Sequence, residues 1–475
     1  MHSSSGVSVR QSGHDRAAPP KAHPTMTIAA ARPLHRILGL GFGLVMAFGG
    51  TVGVGILRLP GALAAALGDT HLVLLCWVIG GLYTLLGAVA VAELAAMMPA
   101  AGGYYVYARR AFGDRAGFVI GWNDWIVNTN SVAFVSIATA SFLGELWAPA
   151  AAHNQVAALV VLSVFTGLHW VGLRLGRAVT ASICVAVGLM LMTLVVGCFL
   201  APPAPASIAT APANSAVSLP LMSAAMIAAI VVALRAVLTA FDGWASPIYV
   251  AGESTDPART LPRAIIGGAV LVAALYLVIN MAFIRVIPLP VLAASQLPAA
   301  DAARIILPGG SAAIVTVISL VTMLSVMNAC LICTPRILLG LSRDGLGMQP
   351  AAAVSESGTP RFALGLTSVV AALLVVTGSF EQIIALGAVL FVLNYMSAYA
   401  AVFVLRRREP TLPRPYRAFG FPYSTAVVLL GSMLFLVAAI AGDPRSAIIV
   451  AGLLVASAPA YAFVKRRQRM VQAST

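Results

Sequence analysis

Charged residues are scarce in this chain: they make up 9% of its 475 residues, whereas 60% are hydrophobic. A typical globular domain carries about 25% charged residues, because each surface helix needs a solvated face. The composition therefore excludes a soluble enzyme, a nucleic-acid-binding module and a disordered scaffold. It predicts an all-α membrane protein with room for a dozen helices of about 20 apolar residues each.

Motifs for metal chemistry and nucleotide binding are missing as well. The seven histidines form no H-E-x-x-H motif, and no G-x-x-x-x-G-K-S/T phosphate loop occurs. The five cysteines all lie in apolar stretches, and the C-x-x-C of Cys330 and Cys333 has no second Cys/His pair nearby. We therefore expect packing cysteines, no disulfide framework, no metal site and no enzyme.

Twelve apolar runs, separated by charged or Pro/Gly-rich gaps, predict twelve membrane-spanning helices. They cover residues 37–67, 71–98, 118–147, 156–173, 178–200, 221–252, 264–287, 311–341, 362–377, 382–405, 423–441 and 446–464. The polar residues 1–36 contain no apolar signal sequence, and they are predicted to form a disordered cytoplasmic tail; residues 465–475 form the C-terminal one.

The positions of the basic residues predict the orientation of these helices. With the N-terminus in the cytoplasm, 24 of the 29 Lys and Arg residues fall in cytoplasmic segments and 4 fall outside. This asymmetry follows the positive-inside rule and predicts that both termini are cytoplasmic. The net charge of +14 therefore indicates orientation in a bilayer rather than a nucleic-acid partner.

Glycine and proline interrupt the first and the sixth predicted helices, which hold equivalent positions in two consecutive five-helix blocks. The interruptions are GGTVGVGI at residues 49–56 and FDGW at residues 241–244, followed by Pro247. Glycine in a membrane helix often serves close packing alone. The pairing of the two breaks and the intramembrane Asp242 favour a transporter binding site instead.

A helix broken at mid-membrane leaves free N–H groups on one half and free carbonyls on the other, which is tolerated where they line a cavity or meet a ligand. The N–H groups near Val54–Ile56 suit a carboxylate, since the positive end of the helix dipole lies there. The carbonyls near Thr51, Val52 and Phe241 suit an ammonium. A ligand that carries both a carboxylate and an ammonium at this spacing is an amino-acid zwitterion.

Ionisable residues inside the membrane are costly and are candidates for function. Asp242 at the second break either contacts a substrate amine or cation, or caps free backbone N–H groups. Arg235 lies two turns before it and is expected to form an ion pair with Asp242 or Glu145, or to gate the outer pathway. Asp124 and Glu93 are candidates for coupling.

Several spaced motifs resemble the amino acid–polyamine–organocation (APC) superfamily of permeases, in particular the amino-acid transporters related to L-type exchangers. They are GVGI at residues 53–56, the segments 92–113 and 240–265, SRDGLGMQP after the eighth helix and the arginine-rich segment after the tenth. The resemblance extends from about residue 39 to residue 422.

The resemblance implies a LeuT-type fold that moves amino acids by alternating access. Residues 37–200 and 221–405 would form two inverted five-helix repeats, and residues 423–464 two peripheral helices. Gly53, Val54 and Gly55 would hold the carboxylate, and Phe241 or Trp244 would act as a lid. The implied substrate site comprises Thr51, Val52, Gly53, Val54, Gly55, Ile56, Phe241, Asp242, Gly243 and Trp244.

Two departures from the family pattern bear on mechanism. Val54 stands where relatives commonly carry Ser or Thr, so a hydroxyl contact is lost. The fifth helix lacks the Lys that some proton-coupled members carry. Its absence favours a transport mode by exchange, or proton coupling through Asp124, Glu93 or Asp242. Coupling to H⁺, or to Na⁺ held by Ser325 and Thr334 oxygens, stays open.

The identity of the substrate also stays open, since a polyamine or other organic amine is the alternative to an amino acid. L-type relatives use a heavy-chain partner, but no cysteine lies in a predicted outside loop here. We therefore expect a permease without an obligate protein partner and without a cofactor. The arginine and alanine bias suggests the inner membrane of a bacterium.

Overall fold

The computed structural model describes Leu34, Arg36 and residues 38–203, 223–307, 311–378 and 380–473. These residues are helical, and their only β-pairing is an isolated bridge between Leu38 and Ser254. Nine helices of the described part are long and apolar enough to cross a membrane, and a bent pair makes a tenth span. The chain is therefore a multi-pass membrane protein. Almost all of the predicted N-terminal tail lies outside the described residues.

The helices follow one another with short connections. In chain order they are α1 (Leu40–Thr51), α2 (Gly55–Leu67), α3 (Thr70–Met97), α4 (Tyr104–Phe112), α5 (Asp114–Leu146), α6 (Ala148–Ala152), α7 (Asn154–Val171), α8 (Leu173–Leu200), α9 (Ala224–Ala240), α10 (Pro257–Val286), α11 (Leu289–Ala294), α12 (Pro298–Ile306), α13 (Ser311–Arg343), α14 (Arg361–Thr377), α15 (Phe380–Arg408), α16 (Tyr423–Gly442) and α17 (Pro444–Ala473). Short 3₁₀ turns cover Ser246–Ile248, Ala251–Glu253 and Gln349–Ala352.

Each of the twelve predicted apolar runs contains a helix, and the differences lie mainly at the ends. The helix of the third run, α5, begins at residue 114, whereas the predicted run begins at 118. The last helix, α17, continues to residue 473, whereas its predicted run ends at 464. Helices extend past the apolar core because backbone hydrogen bonding does not stop where hydropathy does. The structure adds α4, α6, α11 and α12, which are too short for a membrane-span pattern.

Corresponding helices of the two five-helix blocks pack against each other. The most extensive packing joins α3 to α10, which are the second and seventh apolar runs. The next joins α5 to α13, which are the third and eighth runs. The broken first helix is placed among them, since α1 packs on α10, α13 and α8. The interrupted segments therefore lie inside the bundle rather than at its edge.

One end of the bundle, here called the arginine-rich end, contains two buried carboxylates that are paired with arginines. Glu93 accepts from Arg406 at 2.9 Å and lies 3.3 Å from Arg414. Glu253 accepts from Nε of Arg336 at 2.7 Å, and its backbone oxygen accepts from the N–H of Leu38 at 3.0 Å. These pairs fasten the segment before α1 and the loop after α15 to the bundle.

Breaking the Glu253–Arg336 pair is expected to be strongly destabilising. The two side chains are 1% and 4% exposed. The variant Arg336→Met leaves a buried carboxylate without its cation, which costs about 3–5 kcal/mol. The free energy of unfolding in detergent micelles measures this loss, and the double variant Glu253→Gln/Arg336→Met should recover part of it.

The matched control is Arg304→Met, because the Arg304–Asp301 pair is largely exposed, with 63% exposure of the Arg304 side chain. Its loss should cost less than about 1 kcal/mol. An Arg336→Met variant as stable as Arg304→Met would contradict the structural role given to the buried pair.

Candidate functional site

The break in the first helix lies where the sequence places it. Helix α1 ends at Thr51, α2 begins at Gly55, and the two axes differ by 46°. Gly53, Val54 and Gly55 are partly exposed, whereas Thr51, Val52 and Ile56 are buried. The Leu57 N–H donates to the Val54 carbonyl at 3.0 Å, and Leu57 is buried like Ile56. The partly exposed stretch Gly53–Gly55 therefore lies at the positive end of the α2 dipole.

The second break follows Ala240, where α9 ends. Residues 241–245 form turns, and a 3₁₀ turn begins at Ser246. Asp242 and Gly243 are partly exposed, whereas Phe241 and Trp244 are buried. Both breaks thus offer a short accessible stretch of chain between buried neighbours.

Glycine lets the two breaks touch. Gly243 has a φ of +110°, and a Cβ atom added there would lie 2.2 Å from the carbonyl oxygen of Gly50. A Cβ atom on Gly50 would lie 2.4 Å from Oγ of Ser246, whose hydroxyl donates to the Gly243 carbonyl at 2.6 Å. The backbones of the two interrupted helices are therefore in direct contact, which a side chain at either glycine would prevent.

The carbonyl ends of both broken helices are bound by a residue that the sequence did not reveal. The Tyr276 hydroxyl of α10 lies 2.9 Å from the Thr51 carbonyl oxygen and 3.1 Å from that of Ala240. The Thr51 hydroxyl donates to Ala47 in its own helix. The Thr51 carbonyl and the end of α9 thus already face a hydroxyl group of the protein, and their binding of an ammonium stays a prediction.

The two aromatic residues proposed as lids are packed differently. Phe241 lies among Trp77 and Tyr276, with ring centroids 5.9 and 5.1 Å away. Trp244 stacks on Tyr395 at 5.6 Å and an interplanar angle of 10°. Phe241 is thus part of the support behind the first break, and only Trp244 lies beside an open space.

That space is a cavity of about 50 Å³ between α3, α9, α15 and α16, and Asp242 lines it together with Thr239 and Trp244. The Tyr395 hydroxyl donates to the Asp242 carboxylate. Among the residues that the structure describes, no Lys, Arg or His forms an ion pair with Asp242. Asp242 therefore presents an uncompensated carboxylate to the cavity.

The ion pair expected for Arg235 is not formed in the described part of the chain. Glu145 instead accepts from the Thr316 hydroxyl at 2.8 Å. The Arg235 guanidinium extends toward the end of α16, where a Cβ atom on Gly442 would lie 3.1 Å from it. Two helical turns, a rise of about 10 Å, separate Arg235 from Asp242. Because the Arg235 side chain is directed at α16, its guanidinium does not reach the Asp242 carboxylate across that distance.

The two remaining acidic candidates differ in their partners. Asp124 is fully buried, and its Oδ1 accepts from Tyr249, Asn394 and Asn128 at 2.8–2.9 Å. All three donors are neutral, whereas Glu93 is paired with two arginines at the arginine-rich end. The surroundings of Glu93 therefore indicate an anchor, and those of Asp124 leave its charge without a cation.

The oxygens considered for a sodium site have other partners. The Thr334 hydroxyl donates to the Cys330 carbonyl at 2.7 Å, and Oγ of Ser325 lies 3.3 Å from Sγ of Cys184. Across the described residues, no three His, Cys, Asp or Glu side chains form a group that could hold a metal ion. Cys333 is buried within the bundle, and Cys330 is partly buried.

A methyl group at Gly243 should separate the two breaks. The variant Gly243→Ala adds both a positive-φ penalty and a clash with the Gly50 backbone, so we expect a destabilisation well above the roughly 1–2 kcal/mol of the φ penalty alone. The thermal midpoint and the yield of monodisperse protein in detergent measure it.

Gly113→Ala is the control, because Gly113 has a φ of +92° but open space where a Cβ atom would lie. It carries the conformational penalty without the clash. Equal losses of stability in the two variants would show that contact between the breaks contributes nothing.

The sequence model for the family described as amino acid permease matches residues 43–442. The serine/threonine exchanger SteT of Bacillus subtilis is 24% identical over 440 residues, which cover 92% of this chain and 98% of the exchanger. The b(0,+)-type amino acid transporter 1 of Mus musculus is 25% identical over 423 residues, covering 86% and 84% of the two chains. The branched-chain amino acid permease BcaP of Bacillus subtilis is 24% identical over 418 residues, covering 84% and 87%. The chain therefore belongs to the amino acid permease family of the APC superfamily, which comprises membrane transporters.

Proposed function

We propose that this chain is a secondary active transporter that carries amino acids across a bacterial cytoplasmic membrane by alternating access. One observation carries the proposal: the two breaks are in backbone contact inside the bundle, at Gly50 and Gly243, and residues 53–55 and 242–243 beside that contact are partly exposed. The proposed site joins the backbone of the first break with the Asp242 carboxylate of the second. A zwitterion, with its own carboxylate and ammonium, complements that arrangement.

The proposed architecture is a LeuT-type arrangement of twelve spans. Residues 37–200 and 221–405 form the inverted repeats, and residues 423–464 form two peripheral helices. The packing of α3 on α10 and of α5 on α13 supports it, because a pseudo-two-fold axis brings equivalent helices together. The clustered arginines support cytoplasmic termini.

Within this site, the first N–H groups of α2 hold the substrate carboxylate. The Thr51 and Ala240 carbonyls are bonded to Tyr276, so the ammonium has Asp242 as its strongest available partner. Arg235 lies two turns away on the same face of α9, where it acts at the outer entrance. Trp244 borders the cavity beside Asp242 and limits the size of the substrate.

The transport mode that we favour is exchange. The fifth span has no Lys, and one relative is named a serine/threonine exchanger. Asp124 is the best candidate for a coupled proton, because a buried carboxylate among neutral donors is costly when charged. The relatives' names cover serine, threonine and branched-chain amino acids, so small neutral amino acids are the first substrates to test.

A second candidate function is the transport of polyamines or other organic amines. The uncompensated Asp242 carboxylate in the cavity favours it, since a cation without a carboxylate could also bind there. An amine would use Asp242 but not the donors of α2. Substrates with and without a carboxylate therefore distinguish the two functions.

Uptake into liposomes that contain only the purified chain tests the proposal. Labelled amino acids and amines are offered with or without preloaded amino acid, a pH gradient or Na⁺. Uptake that depends on preloaded amino acid identifies an exchanger, and dependence on a gradient identifies a symporter. Transport by the chain alone also tests the expectation that no protein partner is needed. Failure with every amino acid and amine would contradict the proposed function.

The variant Asp242→Asn should abolish transport or change its substrate preference while the protein remains inserted and folded. The amide keeps the size of the side chain but removes the negative charge that faces the cavity, so ammonium binding should weaken by about tenfold or more. Uptake competition among amino acids measures it.

Asp69→Asn is the matched control, because Asp69 caps α3 by accepting from the Leu72 N–H, and Asn caps a helix equally well. Wild-type kinetics and selectivity in Asp242→Asn would remove Asp242 from the mechanism.

A further inference from the structure

The cavity beside Asp242 is walled by both five-helix blocks and by α16, which lies outside them. Besides Asp242 and Trp244 of the second break, its lining residues come from α3, α9, α15 and α16. Most of these residues are aromatic or aliphatic, and a carboxylate in such a lining is costly unless other polar groups accompany it. The hydroxyl groups of the lining residues therefore determine what else the cavity can bind.

Four of the six hydroxyl groups around the cavity form hydrogen bonds within the protein. Thr239 donates to a carbonyl of its own helix, and Tyr395 donates to Asp242. The hydroxyls of Tyr83 and Ser432 lie 2.7 Å apart, and Tyr83 also donates to a carbonyl of α16. These four groups join the walls of the cavity, and a ligand would have to compete for them.

The Thr84 hydroxyl of α3 is the first of the two that remain. Thr84 is 4% exposed, and no described residue forms a hydrogen bond with its side chain. A threonine inside a helix commonly donates to the carbonyl four residues earlier, as Thr51, Thr129 and Thr139 do here. A buried hydroxyl without such a bond is costly, which indicates that a ligand in the cavity supplies the partner.

The Tyr399 hydroxyl of α15 is the second. Tyr399 is 2% exposed, and its hydroxyl has no hydrogen-bond partner in the described part of the chain. It lies against α3, since a Cβ atom on Gly87 would collide with it, and Trp244 is 3.6 Å from the same position. Gly87 follows Thr84 by one helical turn on the same face of α3. The two unpaired hydroxyls therefore lie at neighbouring positions along α3.

We propose that Thr84 and Tyr399 form, together with Asp242, a subsite for a primary ammonium group in this cavity. A primary ammonium has three N–H donors and no acceptor, and the Asp242 carboxylate and the two hydroxyls offer three oxygen acceptors. Aromatic side chains surround these oxygens, and aromatic rings attract a cation that has left water. That the ammonium belongs to a transported substrate rests on the proposed function, whereas the binding of an ammonium ion does not.

The subsite discriminates among amines by their number of N–H groups. Each N-methyl group replaces one donor and adds volume, so a buried oxygen of the subsite is left unpaired. A site that hydrogen-bonds a ligand rejects analogues without the bonding group more strongly than an apolar pocket does. The substrate class of the subsite is therefore primary amines and primary amino acids, to the exclusion of their N-methylated derivatives.

The test uses Thr84→Val and Tyr399→Phe, which each remove one hydroxyl and keep the shape of the side chain. Since neither hydroxyl has a described partner, the variants without ligand should be at least as stable as the wild type. Thr84→Ser keeps the hydroxyl and should bind as the wild type does. The controls Thr193→Val and Tyr461→Phe make the same changes in α8 and α17, away from the cavity.

The first measurement is thermal unfolding of the purified proteins, without amino acid, in methylammonium or tetramethylammonium chloride at equal ionic strength. A ligand that binds only the folded state raises the midpoint. We expect a higher wild-type midpoint in methylammonium than in tetramethylammonium. The apparent affinity for methylammonium should fall about threefold to tenfold in Thr84→Val and in Tyr399→Phe. The two controls should respond as the wild type does.

The second measurement is competition for uptake into liposomes, with labelled serine as substrate and unlabelled serine or N-methylserine as competitor. The wild type should prefer serine by about tenfold or more, and this preference should shrink in Thr84→Val and Tyr399→Phe. Failure to take up any amino acid or amine contradicts the proposed function, and the thermal measurement then decides on the subsite alone. Equal wild-type midpoints in the two salts would overturn the subsite, as would a wild-type response in both variants.

Discussion

Backbone polar groups cannot stay unpaired inside a membrane protein, and the centre of this transporter is organised by that constraint. Interrupting two helices frees carbonyls and N–H groups in the middle of the bundle, where each unsatisfied group costs several kcal/mol. The chain satisfies the two kinds of group differently. The carbonyl ends at Thr51 and Ala240 are bonded to Tyr276, whereas Gly53, Val54 and Gly55, just before and at the start of α2, are partly exposed.

The buried charges divide in a similar way. At the arginine-rich end, Glu93 and Glu253 are fully paired with arginines, and these pairs tie loops to helices. Deeper in the bundle, Asp124 and Asp242 accept hydrogen bonds only from neutral donors among their described neighbours. A carboxylate without a cation in this setting favours protonation or a positively charged ligand. The described part of the fold thus combines carboxylates that are paired with arginines at one end of the bundle with two deeper acids that have only neutral donors.

The sequence predicted the features that depend on local composition, and it missed those that depend on distant contacts. Helical runs and the two glycine-rich breaks follow from hydropathy and backbone freedom, so both were found, although several helix ends differ from the predicted bounds. Nothing local marks Tyr276, whose importance arises because α10 packs beside the ends of α1 and α9. The same reason explains why Arg235 was given the wrong partner, since its reach toward Gly442 depends on where α16 packs. The lid role predicted for Phe241 rests on its position in the chain, whereas its burial beside Trp77 and Tyr276 depends on where α3 and α10 pack.

Assigning the carbonyls to Tyr276 changes what selectivity can depend on. If carbonyl oxygens bound the ammonium, every amino acid would meet the same backbone partners, and selectivity would come from the side-chain pocket alone. Under the proposed function, Asp242 is the charged partner of the ammonium, and the same residue lines the cavity beside Trp244. Recognition of the amine and of the side chain then involve the same residue. Under that proposal a substitution at Asp242 alters both kinds of recognition, so we expect the charge of the substrate's side chain and the strength of ammonium binding to be coupled.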